Sequence, residues 1–211
     1  MNKKKRKKVL VVLGGNSGER AVSLESGKAC VKALKKKNYI VSTLDPKHKH
    51  FNLINKKKVD IIFNALHGKE GEDGVAQSYF EYLRIPYTHS GVISSYNSMD
   101  KVISKKIFLK NKIFTPNYFV IQKDQIKTSS LKNSFIKKKF SFPIVIKPIN
   151  EGSSLGVKIA KNFIELKKFT KFLFKKYKRL MFEQYIGGQE VQVAIINNKP
   201  LGAIELIPRR P

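Results

Sequence analysis

Cysteine occurs once in the 211 residues, at Cys30. A single thiol cannot form an internal disulfide, and such usage fits a reducing compartment. Cys30 is expected on the apolar side of a helix, as a buried thiol rather than a nucleophile. Long apolar runs are also missing, since no stretch approaches the ~20 residues of a membrane span. The basic start, Met1 to Lys8, precedes an apolar run, but Val9 to Leu13 ends at Gly14-Gly15 and is too short for a secretory signal. The expectation is a cytoplasmic protein with no membrane partner. Acid is scarce: 15 Asp and Glu face 43 Lys and Arg, a formal net charge of +28. That excess raises the possibility of a basic nucleic-acid-binding protein. Arginine, whose planar fork nucleic-acid sites favour, contributes only six of the 43. Lysine clusters at 35–37, 56–58 and 137–139 are scattered along the chain at expected helix ends and turns. They read as solvated positions, so no nucleic acid is expected as partner; the rival would require one contiguous basic face and salt-sensitive duplex binding.

What is present is an alternation of strand and helix patterns. Val9 to Leu13 reads as a buried parallel strand, closed by glycines. A helix follows with Leu24, Gly27, Val31 and Leu34 on one stripe and Ser23 as a cap near its start. Tyr39–Leu44 and Val59–Phe63 are further strands, and a helix with Val75, Tyr79 and Tyr82 or Leu83 inward precedes a short strand at Ile85–Thr88. The fold class is α/β, with a parallel sheet covered by helices on both faces. The pattern changes near residue 95: a helix over about 98–112, a strand at Tyr118–Ile121, a lysine-rich helix ending near Lys139, strands at Ile144–Lys147 and Val157–Ala160, and a helix over 163–177. Strands at Arg179–Tyr185, Glu190–Ile196 and Leu201–Ile207 follow, the last two joined at Asn197-Asn198, a hairpin signal because Asn tolerates positive φ. The chain stops at Pro208-Arg209-Arg210-Pro211, which reads as an interrupted domain.

Four segments can carry chemistry. The loop Gly14–Arg20 matches neither of the common glycine-rich phosphate motifs, yet it lies at a strand's carboxyl end, where open α/β sheets bind ligands. Its Glu19 is either a simple helix entry, favoured by the dipole, or a carboxylate suited to a substrate ammonium. The glycine-rich loop His67–Gly74 reads as substrate-lining or phosphate-neighbouring rather than metal-binding, because one His without a second is poor ligand spacing. Lys147, ending an apolar strand before Pro148-Ile149-Asn150-Glu151-Gly152-Ser153-Ser154-Leu155-Gly156, is the strongest feature. A fixed cation followed by a flexible loop of N–H groups and hydroxyls can fold over a polyphosphate; the plainer alternative is a β-hairpin turn. Glu183 and Glu190 bracket Tyr185-Ile186-Gly187-Gly188, where Ile186 could pack a base and Glu190 accept from ribose hydroxyls.

Taken in order, GGNSGERAVSLESG, NALHGKEGEDG, IPYTHSG, MDK, PIVIKPINEGSSLGV and FEQYIGGQEVQVAI resemble the D-alanine–D-alanine ligase family of the ATP-grasp superfamily, from about Val9 to the final residue. The resemblance implies a Rossmann-like N-terminal domain (1–97, with a basic tail 1–8), an ATP-grasp central domain (98–183) and the start of an incomplete ATP-grasp C-terminal domain (184–211). It implies ATP-dependent joining of two D-alanines through an acylphosphate, for peptidoglycan precursors, with a homodimer formed through the N-terminal domain. Glu19 would hold the first D-alanine's ammonium and pair with Ser153 as the catalytic couple, and His67 would line the same pocket. Lys101, Lys147 and Ser154 would contact ATP phosphates; Glu183, Gln184 and Ile186 would surround adenine, and Glu190 the ribose. The family's Mg2+ (or Mn2+) ligands would lie beyond Pro211, so this polypeptide alone is expected not to complete catalysis. Relatives making D-alanyl-D-lactate or D-alanyl-D-serine share the pattern. His89 stands where many members carry glycine, a change expected to alter the loop only locally.

Overall fold

The computed structural model describes residues 6–125, 128–137 and 139–207. The first residues of the basic tail and the closing Pro208–Pro211 lie outside the described residues. Strand β1 (Lys8–Val12) runs between β2 (Ile40–Leu44) and β3 (Ile61–Asn64), parallel to both. Parallel neighbours need crossovers, and helix α1 (Arg20–Lys36) supplies the first. Because strand side chains alternate, Val9, Val11 and Leu13 pack with Leu24, Val31 and Leu34 of α1, whereas Leu10 and Val12 face Phe51, Ala76 and Phe80. Being covered on both faces is why β1 is apolar at every position after Lys8. Gly27 lets α1 approach closely: a Cβ there would sit 2.6 Å from the Leu13 Cβ.

Helix α2 (Val75–Tyr82) turns a different face inward from the one expected. Ala76 and Phe80 are buried, while Val75, Tyr79 and Tyr82 are exposed. Phe80 fits between Phe51 and Tyr87, while Tyr79 covers Phe51 from the exposed side. Ile85–Thr88 is not a strand but a single parallel bridge, Ile62 to Tyr87. His89 has φ of 77°, a left-handed conformation that suits glycine; its ring meets Phe63 edge-on at 5.8 Å. The expected helix over about 98–112 is α4 (Lys101–Lys110), and a separate short helix not expected from the sequence, α3 (Val92–Met99), precedes it. Asp100 stays extended and caps α4 by accepting from the Val102 and Ile103 N–H groups at 2.8 and 3.1 Å.

A four-stranded antiparallel sheet follows, ordered β4 (Tyr118–Gln122), β7 (Arg179–Gln184), β5 (Ile144–Pro148), β6 (Lys158–Ala160). Helices α5 (Thr128–Lys137) and α6 (Phe163–Leu173) belong to the same region. Ile144, Ile146, Leu180 and Phe182 join Phe135, Leu166 and Leu173 in one core. Alternation sends their neighbours Val145, Lys147 and Glu183 to the opposite face, and Val145 pairs directly with Glu183. Two adjacent strands thus place a lysine and a glutamate side by side. Last come β8 (Glu190–Ile196) and β9 (Lys199–Leu206), a hairpin exposed along nearly its whole length. Its turn has Asn197 and Asn198 at φ 50° and 61°, as the Asn-Asn pair suggests. No helix among the described residues is long and apolar enough to cross a membrane.

Candidate active site

Glu19 occupies the N-cap position of α1 and is only 6% exposed. Its loop is fastened from several sides. Gly14 and Gly15 turn at φ 85° and 75°, and the Gly15 N–H donates to Asp45 at 3.0 Å. Arg20 forks onto both Asp45 oxygens at 3.0 and 2.6 Å and donates to the Gly15 carbonyl at 2.8 Å. Burial alone would raise the Asp45 carboxyl, but the Arg20 hydrogen bond and the Gly15 and Lys47 N–H groups outweigh it and hold it at about 2. Ser23 is not a cap. It sits inside the helix, where its hydroxyl accepts from the Gly14 N–H at 2.8 Å and donates to the Ala65 carbonyl at 2.6 Å. Ser17 donates to the His67 carbonyl at 2.6 Å, tying in the second glycine-rich loop.

The Glu19 carboxylate ends between two loops from distant parts of the chain. Its Oε2 accepts from the Ser153 hydroxyl. Its Oε1 is buried without a hydrogen-bond partner, and a Cβ at Gly68 or Gly152 would lie 2.8 or 2.7 Å from it. A buried carboxylate oxygen left unpaired costs about 1–3 kcal/mol or more, which a cationic N–H donor would recover. The loop carrying Ser153 is strained where it folds over: Ser153, Ser154 and Gly156 have φ of 45°, 57° and 75°. It joins antiparallel strands and is in that sense a β-hairpin, but one that reaches the loop just before α1, with Leu155 against Gly18.

On the sheet face below that loop three lysines converge. Lys101 donates through Nζ to the Glu151 carbonyl and through its backbone N–H to the Ile149 carbonyl at 3.0 Å. Lys147 and Lys105 clasp the two oxygens of Glu183, which is 7% exposed. Burial pulls the Lys101 ammonium below the ordinary lysine range, and neighbouring Lys147 adds to the effect. Burial lowers Lys105 as well, against the opposing pull of Glu183. Lys105 was not anticipated from the sequence. Its four-residue spacing from Lys101 on α4 is a signal that both side chains share a helix face.

The remaining expected residues are placed as follows. His67 is half-buried, its Nε2 3.1 Å from the Ser26 hydroxyl, in a cleft of about 440 Å³ shared with Cys30, Asn64, Glu72 and Gln77. Glu19 and Ser153 do not line that cleft; the second glycine-rich loop reaches Glu19 through Gly68 instead. Cys30 is half-buried rather than fully enclosed. Ser154 is exposed on the loop. Glu183, expected beside a base, has its carboxylate held between lysines. Gln184 donates its backbone N–H to Asn117 at 3.0 Å, and its side chain lies 3.4 Å from the Ser141 hydroxyl. Ile186, 66% exposed, and Glu190 line a separate open cleft of about 550 Å³ with Tyr185, Gly187 and Gly188. Among the described residues no group of three or more His, Cys, Asp or Glu could hold a metal ion.

Residues 41–90 match the family profile described as D-ala D-ala ligase N-terminus, and residues 107–211 match D-ala D-ala ligase C-terminus. A D-alanine–D-alanine ligase from Pelagibacter ubique is 50% identical over 97% of this chain and 66% of its own length. One from Aquifex aeolicus is 38% identical over 96% of this chain and 67% of its own. The crystal structure of a Bacillus anthracis D-alanine–D-alanine ligase complexed with ATP aligns at a TM-score of 0.80 and 32% identity, over 97% of this chain and 67% of that one. The chain spans about two thirds of the length of the curated relatives it matches. A parallel sheet latched by a serine loop to a lysine-faced antiparallel sheet is therefore the arrangement of ATP-grasp ligases. Within that class the chain belongs to the D-alanine–D-alanine ligase family.

Proposed function

We propose that the chain binds ATP and D-alanine as part of an ATP-dependent, ADP-forming ligase that joins two D-alanines for peptidoglycan precursors. The observation that carries this reading is the Ser153–Glu19 hydrogen bond. It sets an acid with one unpaired oxygen at the far end of the loop that begins at the lysine face.

In this reading the free Oε1 of Glu19 accepts from the ammonium of the first D-alanine, and Ser153 holds the other oxygen. Lys101 and Lys147 donate to phosphate oxygens of ATP, while the loop carrying Ser154 covers them. Glu183, Gln184 and Ile186 border the adenine side and Glu190 the ribose. The carboxylate of the first D-alanine attacks the γ-phosphorus, ADP leaves, and an acylphosphate forms. The amine of the second D-alanine then attacks the acyl carbon, loses a proton, and expels inorganic phosphate from a tetrahedral intermediate. The lysines offset charge on the transferring phosphoryl group, the main demand in such chemistry. A closed loop keeps water from hydrolysing the acylphosphate. The described residues do not assemble a ligand set for Mg2+ or Mn2+.

We assign residues 1–97 to the N-terminal substrate domain, 98–183 to the ATP-grasp central domain and 184–211 to the start of the ATP-grasp C-terminal domain of this enzyme, working in the cytoplasm as a homodimer. The test is calorimetric titration of the chain with ATP and with D-alanine. Lys147→Met is expected to weaken ATP by about 2–3 kcal/mol, the value of a charge-assisted hydrogen bond. Equal ATP affinity in the two proteins, or no D-alanine binding by the wild type, would overturn the reading.

A further inference from the structure

Lys105 is buried at 5% exposure, yet neither the motifs nor the roles above use it. Its ammonium meets three acceptors: Glu183 Oε1, the Thr115 hydroxyl at 2.5 Å and the Pro116 carbonyl at 2.8 Å. An ammonium has three protons, and all three are spoken for. The Tyr118 ring lies 5.1 Å away on β4, directly across from Glu183 in the strand pairing. This lysine is fixed. Lys147 differs: its side chain is 20% exposed, and among the described residues its Nζ has one acceptor, Glu183 Oε2.

Two ammonium groups on one carboxylate are more than charge balance requires. If Lys147 were the sole partner of Glu183, drawing it away to a phosphate would strand a buried carboxylate, which is strongly unfavourable. With Lys105 in place, Lys147 can leave and a neutral pair remains behind. We propose that Lys105 is a positioning residue: it holds the Glu183 carboxylate and neutralises it, which frees Lys147 to meet the polyphosphate of a nucleotide. The inference rests on the nucleotide reading of Lys147 and deepens it.

Adenosine and ATP are titrated into the chain at one fixed ionic strength, and the ratio of their dissociation constants reads the phosphate share of the affinity. Lys147→Met sets the scale for complete loss of that contact. Lys105→Met is expected to shrink the ratio by about tenfold. Adding Glu183→Gln in the same chain is expected to restore most of it, because no buried charge is then stranded when Lys147 moves. A side chain that merely props α4 gives no such recovery. Should Lys105→Met fail to fold by circular dichroism, the double variant is compared with Glu183→Gln alone. Equal ratios support the proposal, and a further tenfold loss overturns it. An unchanged ratio in folded Lys105→Met, or a loss that persists in the double variant, also overturns it. Failure of the nucleotide reading has its own signature: Lys147→Met then leaves ATP affinity at the wild-type value, and this inference falls with it.

Discussion

The two halves of the site solve opposite electrostatic problems. At Glu19 a buried acid is met by a hydroxyl and two glycines, with no basic side chain on either oxygen among the described residues, so the charge is left for a ligand's cation. On the sheet face a buried acid is met by two lysines, so a positive charge is left for a ligand's anion. One glutamate is under-compensated and the other over-compensated. The difference shows that burial of a carboxylate does not define its role; what counts is which partners the fold supplies.

The comparison breaks most sharply at Glu19. Glu19→Gln removes the charge but keeps the shape, and D-alanine affinity should fall by about 2–3 kcal/mol, on the order of a hundredfold. Calorimetry should show ATP affinity unchanged, because the lysine face keeps its partners. Ser153→Ala is the milder version. Losing one hydroxyl donor should cost about 1 kcal/mol in D-alanine binding, read in the same titration, again with little change for ATP. The smallest effect concerns the fastening beneath Glu19. The Asp45 carboxyl is held at about 2, below its ordinary 3.8. A folded value below the unfolded one gives stability that is complete above about 3.8 and is lost as pH falls through about 2. Asp45→Asn should therefore flatten this part of the acid limb of a denaturation curve and cost about 1–2 kcal/mol at neutral pH. An acid limb unchanged in Asp45→Asn would mean that the Arg20–Asp45 fork does not anchor the loop.

Local signals were read well where a short segment decides its own conformation. The glycine turn after β1, the Asn-Asn hairpin and the lysine at the end of β5 all lie where their residue types lead one to expect. Reading failed where two patterns competed. In α2 both Val75-Tyr79-Tyr82 and Ala76-Phe80 make an apolar stripe; Phe51 touches a ring of each, and Phe80, which also meets Tyr87, is the one fully buried. Ser23 has the chemistry of a cap but serves as a cross-link between β1's turn and Ala65. Lys105 was hard to single out for another reason: among 43 basic residues, its four-residue spacing from Lys101 is a signal that many lysine pairs share.

The order of amino acids by itself determined the alternation of elements, the glycines that let backbone turn against Glu19 and Asp45, and the family to which the chain belongs. These depend on contacts and dihedral preferences within a few residues, or on motifs long enough to be specific. The family resemblance implied that Ser153 meets Glu19 across 134 positions of chain; tertiary structure alone decided that Glu19 Oε1 is left buried without a partner and that Glu183 pairs with two lysines. Such partnerships depend on strand register and on which side of a sheet each helix covers, and those are settled by packing the whole core at once.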